Sequence, residues 1–114
     1  MDSNERRITS ITSELINNSL EAKASKITVS IERDSDKFQI TVKDNGQGMD
    51  EDTLKEVRRI LNQPFNEMYD EYYKGLAGSP YTDSPLNIIG FQVHKAEVQS
   101  DSNGTSITVM RKLR

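Results

Sequence analysis

The strongest constraint on what this chain can fold into is a change of hydrophobic period near residue 25. From Ser10 to Ala24 there is neither proline nor glycine, and apolar residues recur at helical spacing, which predicts an α-helix. At 3.6 residues per turn Ile8, Ile11, Leu15, Ser19 and Ala22 share one side, with Ile16 and Leu20 at its margin, so that side faces a core. Lys26 to Arg33 then alternates Ile27, Val29 and Ile31 with polar residues, and Lys37 to Lys43 does the same with Phe38, Ile40 and Val42. A period of two predicts two strands, each with one buried face. The short polar link Asp34-Ser35-Asp36 closes them as an antiparallel hairpin whose apolar face lies on the helix.

The first helix is expected from about residue 5 to 23, capped by Asp2, Ser3 or Asn4. Asp50-Glu51-Asp52 opens a second helix, with acids where the helix dipole favours them and Leu54, Val57, Ile60 and Leu61 on its buried side, ending near Asn62-Gln63-Pro64. Between residues 62 and 84 no period is sustained, yet five of the chain's seven aromatics fall there (Phe65, Tyr69, Tyr72, Tyr73 and Tyr81). A segment of that length and composition reads as a lid or binding segment, with room for a short helix at 67–74. Ser84-Pro85 restarts a helix carrying Leu86, Ile89, Gly90 and Val93 on one face and ending near Lys95. A short strand at 97–100, a turn at 101–104 and a last strand at 105–112 with Ile107 and Val109 inward complete the order. Helix, strand, strand, helix, lid, helix, strand, strand is the order of a two-layer α/β sandwich, helices on one face of a mixed, mainly antiparallel sheet.

Composition bounds the function. One hundred and fourteen residues suit a single domain, 1–114. With 15 basic and 18 acidic residues and no concentrated basic face, no nucleic-acid partner is expected. The absence of cysteine rules out disulfides and thiolate metal sites, and the single His94 cannot form a histidine cluster. No stretch approaches the ~20 apolar residues of a membrane span or the core of a signal peptide, so the reading is a cytosolic protein with no membrane partner.

Two motifs carry the chemistry. Glu14, Asn18 and Glu21 line up beside the apolar stripe of the first helix, where they are either a solvated polar strip or half-sheltered functional groups. Directly after the second strand comes Asp44-Asn45-Gly46-Gln47-Gly48-Met49, a carboxylate at a strand end followed by two glycines that permit a sharp turn and close backbone approach. Together the pair resembles the N-box and first glycine box of the GHKL superfamily, which holds gyrase, the ninety-kilodalton heat-shock chaperones, histidine kinases and the mismatch-repair ATPases. Ala22 and Ala24-Ser25-Lys26-Ile27 are similar to the connection in the mismatch-repair branch, so the resemblance covers residues 8–61, about half the chain.

The resemblance implies a histidine-kinase-like ATPase fold, ATP as ligand and Mg²⁺ as its counterion. Family domains usually begin with a strand before the first helix, so the expectation is either a minimal version or a strand supplied by another chain or by a part not in this sequence. Asn18 falls on the family's Mg²⁺ ligand, its alternative being a helix-surface amide. Asp44 falls on the adenine reader, its alternative a turn-forming Asx residue. Gly46 and Gly48 would let the backbone pass beneath the base, and Met49 would pack on its plane. Thr105 resembles the threonine that joins the acid at the adenine through water, or is an ordinary strand residue. Glu14 falls on the glutamate that orients and deprotonates the attacking water.

Departures from the family pattern shape the functional expectation. Histidine kinases tend to have His or Asn at the position of Glu14 and a lysine where this chain has Glu21, so a classical histidine kinase is disfavoured; anti-sigma serine kinases keep the glutamate. The usual second glycine box is lacking, and its only candidate is Lys74-Gly75-Leu76-Ala77-Gly78-Ser79, in which Lys74, Gly75 and Gly78 are a phosphate cradle or a hinge. The leading expectation is Mg²⁺-dependent ATP hydrolysis or phosphoryl transfer. The alternative is an ATP-regulated protein-binding module with little or no catalysis. A protein partner is expected in either case, and an open sheet edge would suit a homodimer.

Overall fold

The structure is a computed structural model and describes residues 2–63 and 85–113. Helix α1 spans Ser3–Glu21 and starts in a capping box: Glu5 N–H donates to Asp2 Oδ1 at 2.8 Å and Asp2 N–H to Glu5 Oε1 at 3.2 Å. Strands β1 (Ile27–Arg33) and β2 (Lys37–Asp44) follow as an antiparallel hairpin. Its turn is tied by Asp34, whose Oδ1 accepts from Asp36 N–H at 2.7 Å and Lys37 N–H at 3.0 Å. These two bonds hold the Asp34 carboxyl below its ordinary range. Helix α2 (Glu51–Leu61) is capped by Asp50, and helix α3 (Pro85–Gln92) begins at the proline the sequence marks. Strands β3 (Lys95–Asp101) and β4 (Gly104–Lys112) close the chain.

Among the described residues four strands run β1-β2-β4-β3, and each of their pairings is antiparallel. Alternation turns Phe38, Ile40 and Val42 of β2 and Ile107 and Val109 of β4 toward the helices, where they join Ile11 and Leu15 of α1, Leu61 of α2 and Ile89 of α3 in one core. The result is the two-layer sandwich, with its helices over one face of the sheet. No helix among the described residues is long and apolar enough to cross a membrane.

Three details differ from the reading of the sequence. The alternation of β1 predicts a buried face, but only Ile27 is half-buried, while Val29 and Ile31 are 38% and 45% exposed. The cause is position: β1 is an edge strand, and α1 lies mainly over β2. α1 also begins and ends two residues before the expected 5 and 23. Helix α3 stops at Gln92, not Lys95, because His94 N–H already donates to Met110 O at 2.8 Å and His94 Nδ1 accepts from Lys112 N–H at 2.9 Å. His94 is therefore an exposed residue bonded to β4, not a helix residue. The lid expected between 62 and 84 lies, apart from Asn62 and Gln63, outside the described residues.

Leu15 is fully enclosed between α1 and the sheet. Leu15→Ala is expected to lower unfolding free energy by about 2–5 kcal/mol in a urea titration, the range for a buried leucine that leaves a cavity.

Candidate functional site

Asp44 ends β2, opposite Thr105 of β4, and is only 8% exposed. Three donors hold its carboxylate. Ser19 Oγ–H donates to Oδ2 at 2.5 Å, while Gly46 N–H and Thr105 N–H donate to Oδ1 at 2.9 and 3.2 Å. They come from the core-facing side of α1, the loop after β2, and the start of β4, so one side chain ties three elements together. A carboxylate this sheltered requires such partners, because an unpaired buried charge is strongly destabilising. A carboxylate offers about four acceptor positions; three are filled here, and one on Oδ2 is left for a further donor.

The glycine loop is held on both sides. Gln47 N–H donates to Ala22 O at 2.7 Å, and Met49 N–H donates to Ser100 Oγ at 2.8 Å, which shares a 2.7 Å hydrogen bond with Thr105 Oγ1. A Cβ at Gly46 would lie 2.6 Å from Ala22 O, and one at Gly48 would lie 1.8 Å from Asp101 O. Neither distance is tolerable, so both glycines are demanded by packing within the chain itself. Met49 is half-buried against the core. Asn45 braces the outer side: its Oδ1 accepts from Ser25 N–H and Lys26 N–H, both at 2.9 Å, and its Nδ2 donates to Ser25 Oγ at 3.0 Å.

On α1, Glu14 and Asn18 are half-buried and Glu21 is exposed. The Glu14 carboxyl is held above its ordinary range, first by burial and second by the negative charge of Glu21. Asn18 directly precedes Ser19, so the turn that carries it touches Asp44 through its neighbour. Two hollows flank Asp44. One of about 260 Å³ is bordered by Ser100, Gly104 and Thr105, and one of about 390 Å³ by Lys26, Lys43 and Asn103. Neither takes a lining residue from α1, so Glu14 and Asn18 open on neither of them.

The structure thus joins Asp44, Gly46, Met49 and Thr105 in one bonded cluster, packs Gly48 against Asp101 in the same loop, and sets Asn18 beside it, with Glu14 one helical turn further along. Lys74, Gly75 and Gly78 lie outside the described residues. Among the described residues no three of His, Cys, Asp and Glu gather as a metal site. Two members of the cluster have no role in the sequence reading: Ser19, which holds Asp44, and Ser100, which links Met49 to Thr105. For Ser19 a signal exists, since it is the one hydroxyl on the apolar stripe Ile8, Ile11, Leu15, Ser19, Ala22. Ser100 is one of several serines near a turn, and nothing local distinguishes it.

With this geometry in view, the fold is that of the histidine-kinase-like ATPase domains. The structure matches the histidine kinase domain of a blue-light activated histidine kinase from Erythrobacter litoralis with a TM-score of 0.54 and 18% identity. The match covers 94% of this chain and 43% of that one, so the chain spans less than half of that protein, and the likeness is one of fold. A search of curated proteins found no match. Residues 3–113 match the model of the histidine kinase-, DNA gyrase B- and HSP90-like ATPases, and the chain belongs to that family. Membership implies ATP binding.

Ser19→Ala removes one of the three donors to a buried carboxylate and is expected to cost about 1–3 kcal/mol of stability, read by urea denaturation. A cost near zero would mean that solvent replaces the hydroxyl at Oδ2.

Proposed function

We propose that this domain binds Mg-ATP at Asp44 and the glycine loop, and that Glu14 acts as the base in hydrolysis or transfer of the terminal phosphoryl group. The observation that carries the proposal is the Asp44 carboxylate, braced by Ser19, Gly46 and Thr105 with one acceptor position on Oδ2 left over. An exocyclic amine is a donor suited to that position, whereas a carbonyl at the same place, as on guanine, would face a carboxylate with nothing to donate. Thr105 Oγ1 and Ser100 Oγ, already bonded to each other, offer hydroxyls for a bridging water at the base. Met49 supplies an apolar, polarisable surface for its plane.

Asn18 would hold Mg²⁺. Its amide oxygen is a hard, neutral ligand that adds no repulsion against phosphate, and the metal when bound would neutralise phosphate charge that an acidic chain leaves uncovered. Lys74, Gly75 and Gly78 are proposed as further phosphate contacts on the strength of the sequence alone.

Glu14 sits one turn before Asn18 on the same strip. Its raised pKa makes it a better proton acceptor than an ordinary glutamate, which is the direction a general base requires. The acceptor of the phosphoryl group is water in an ATPase and a partner's hydroxyl in a kinase. A cytosolic setting accords with ATP as ligand. A second reading, an ATP-regulated protein-binding module, is favoured by the missing second glycine box. Labelled ATP incubated with the domain and candidate partners separates the three outcomes: free phosphate, labelled partner, or intact nucleotide.

Asp44→Asn keeps the side chain's shape but removes the charge. ATP affinity measured by calorimetry is expected to fall roughly 10- to 100-fold, the worth of one charge-assisted hydrogen bond. Unchanged affinity would overturn the adenine assignment.

Glu14→Gln should abolish most turnover and leave nucleotide binding intact. Because the folded protein raises the Glu14 pKa, its ionised form opposes folding, and the penalty grows as pH rises through that pKa. The melting temperature of Glu14→Gln is therefore expected to exceed the wild type's at neutral pH, with the gap closing below the ordinary value of 4.5. In the active protein, Glu21→Gln removes a like charge and should move the acid limb of the pH–rate profile to lower pH.

A further inference from the structure

The two edges of the sheet are treated differently. On β3, two outward peptide groups are held by side chains of α2 and of the residue that caps it: Arg58 donates through Nε and Nη2 to Val98 O at 3.1 and 2.7 Å, and Asn62 Oδ1 accepts from Ala96 N–H at 3.0 Å. On β1, no hydrogen bond from the described residues reaches the outward peptide groups. Which groups these are follows from the hairpin. Asp34 N–H donates to Lys37 O and Asn45 N–H to Lys26 O, so even-numbered residues of the strand bond β2, and Ile27, Val29, Ile31 and Arg33 direct their peptide groups outward.

The β1 edge carries charge at its far end, where Glu32 is followed by Arg33, paired with Glu5 at 3.8 Å, but it lacks the bulge and the proline that discourage strand addition. It pairs with β2 in one unbroken register from Ile27↔Asp44 to Arg33↔Phe38, with no bulge and no proline. Its helix-facing side chains Val29 and Ile31 are exposed, and so is Leu20 of α1; these are the three exposed large apolar residues among the described ones. Two of the three lie on this single strand.

We propose that β1 is the interface for a second copy of this chain, pairing antiparallel with its own counterpart about a two-fold axis at Ser30. The sequence of the strand is complementary to itself in that arrangement. Ile27 faces Arg33 of the second copy, and Val29 faces Ile31, each pair occurring twice and bonding through the outward peptide groups. On the solvent face Thr28 meets Glu32, and Lys26 meets the oppositely charged Asp34 at the hairpin turn. A polar second face with opposite charges in register suits a copy of the same strand better than an arbitrary apolar segment. Two four-stranded sheets become one continuous sheet, both helical layers lie on the same side, and Val29 and Ile31 of the two copies line the seam.

These 114 residues contain no cysteine, so a single introduced thiol reports on the axis without background. Ser30 faces itself across a non-hydrogen-bonded pair, with Cα atoms about 4.5 Å apart, inside the range a disulfide spans. Ser30→Cys should therefore give a covalent dimer under mild oxidation, while Gln99→Cys on the opposite edge should not. Sedimentation of the unmodified chain should give twice the chain mass, and Val29→Lys should give a folded monomer by the same measurement with an unchanged far-UV dichroism spectrum. A monomeric wild type, equal cross-linking from both cysteines, or a Val29→Lys dimer would each overturn the proposal. None of these readouts uses nucleotide, so their failure leaves the proposed ATP site untouched.

Discussion

The rest of the structure depends on how one buried carboxylate is kept company. Asp44 is sheltered at the end of β2, and the fold surrounds it with a hydroxyl from α1, an amide from the following loop and an amide from β4. Each donor belongs to a different piece of the chain, so satisfying the charge also sets the distance between the helical layer and the sheet. The hydrophobic core supplies the driving force, with Ile11, Leu15, Phe38, Ile40 and Val109 fully enclosed. It does not by itself define where α1 sits along the strands. The Ser19 to Asp44 bond does, and it places the helix turn bearing Asn18 next to the loop bearing Gly46 and Gly48.

Much of this was legible in the residues. The period of 3.6 through Ile8, Ile11 and Leu15, and the alternation Phe38, Ile40, Val42, state which faces are buried, and the structure buries them. The two motifs also lie close in space, as the family resemblance implies. Legibility ends where tertiary position overrides local pattern. Val29 and Ile31 alternate as well as their neighbours on β2, yet they stand exposed because an edge strand has a helix over only part of its width. The end of α3 escapes the sequence for a related reason, since the bonds of His94 to Met110 and Lys112 involve distant partners in β4 that no local signal announces. The bonded cluster was legible at Asp44, Gly46 and Thr105, and less so at Ser19 and Ser100, whose importance comes from what they touch.

The glycine loop shows how packing and proposed ligand chemistry draw on the same residues. Gly46 and Gly48 resemble positions where the backbone must come close to a nucleotide, and the structure gives each a separate reason inside the protein, namely the carbonyls of Ala22 and Asp101. A side chain at either place would displace the loop before any ligand arrived. Glu14 is the opposite case: its raised pKa marks a group whose ionised form the folded state tolerates at some cost, through burial and the charge of Glu21.

Asn45 gives these observations a mechanical consequence. Its single amide grips Ser25 and Lys26 on the far side of the chain turn from α1, while Gln47, two residues on, holds Ala22. The connection out of α1 and the loop out of β2 therefore move as a unit. Lengthening that connection by even one residue would be transmitted through the amide to the glycine loop, so the spacing between the two motifs is as constrained as their composition.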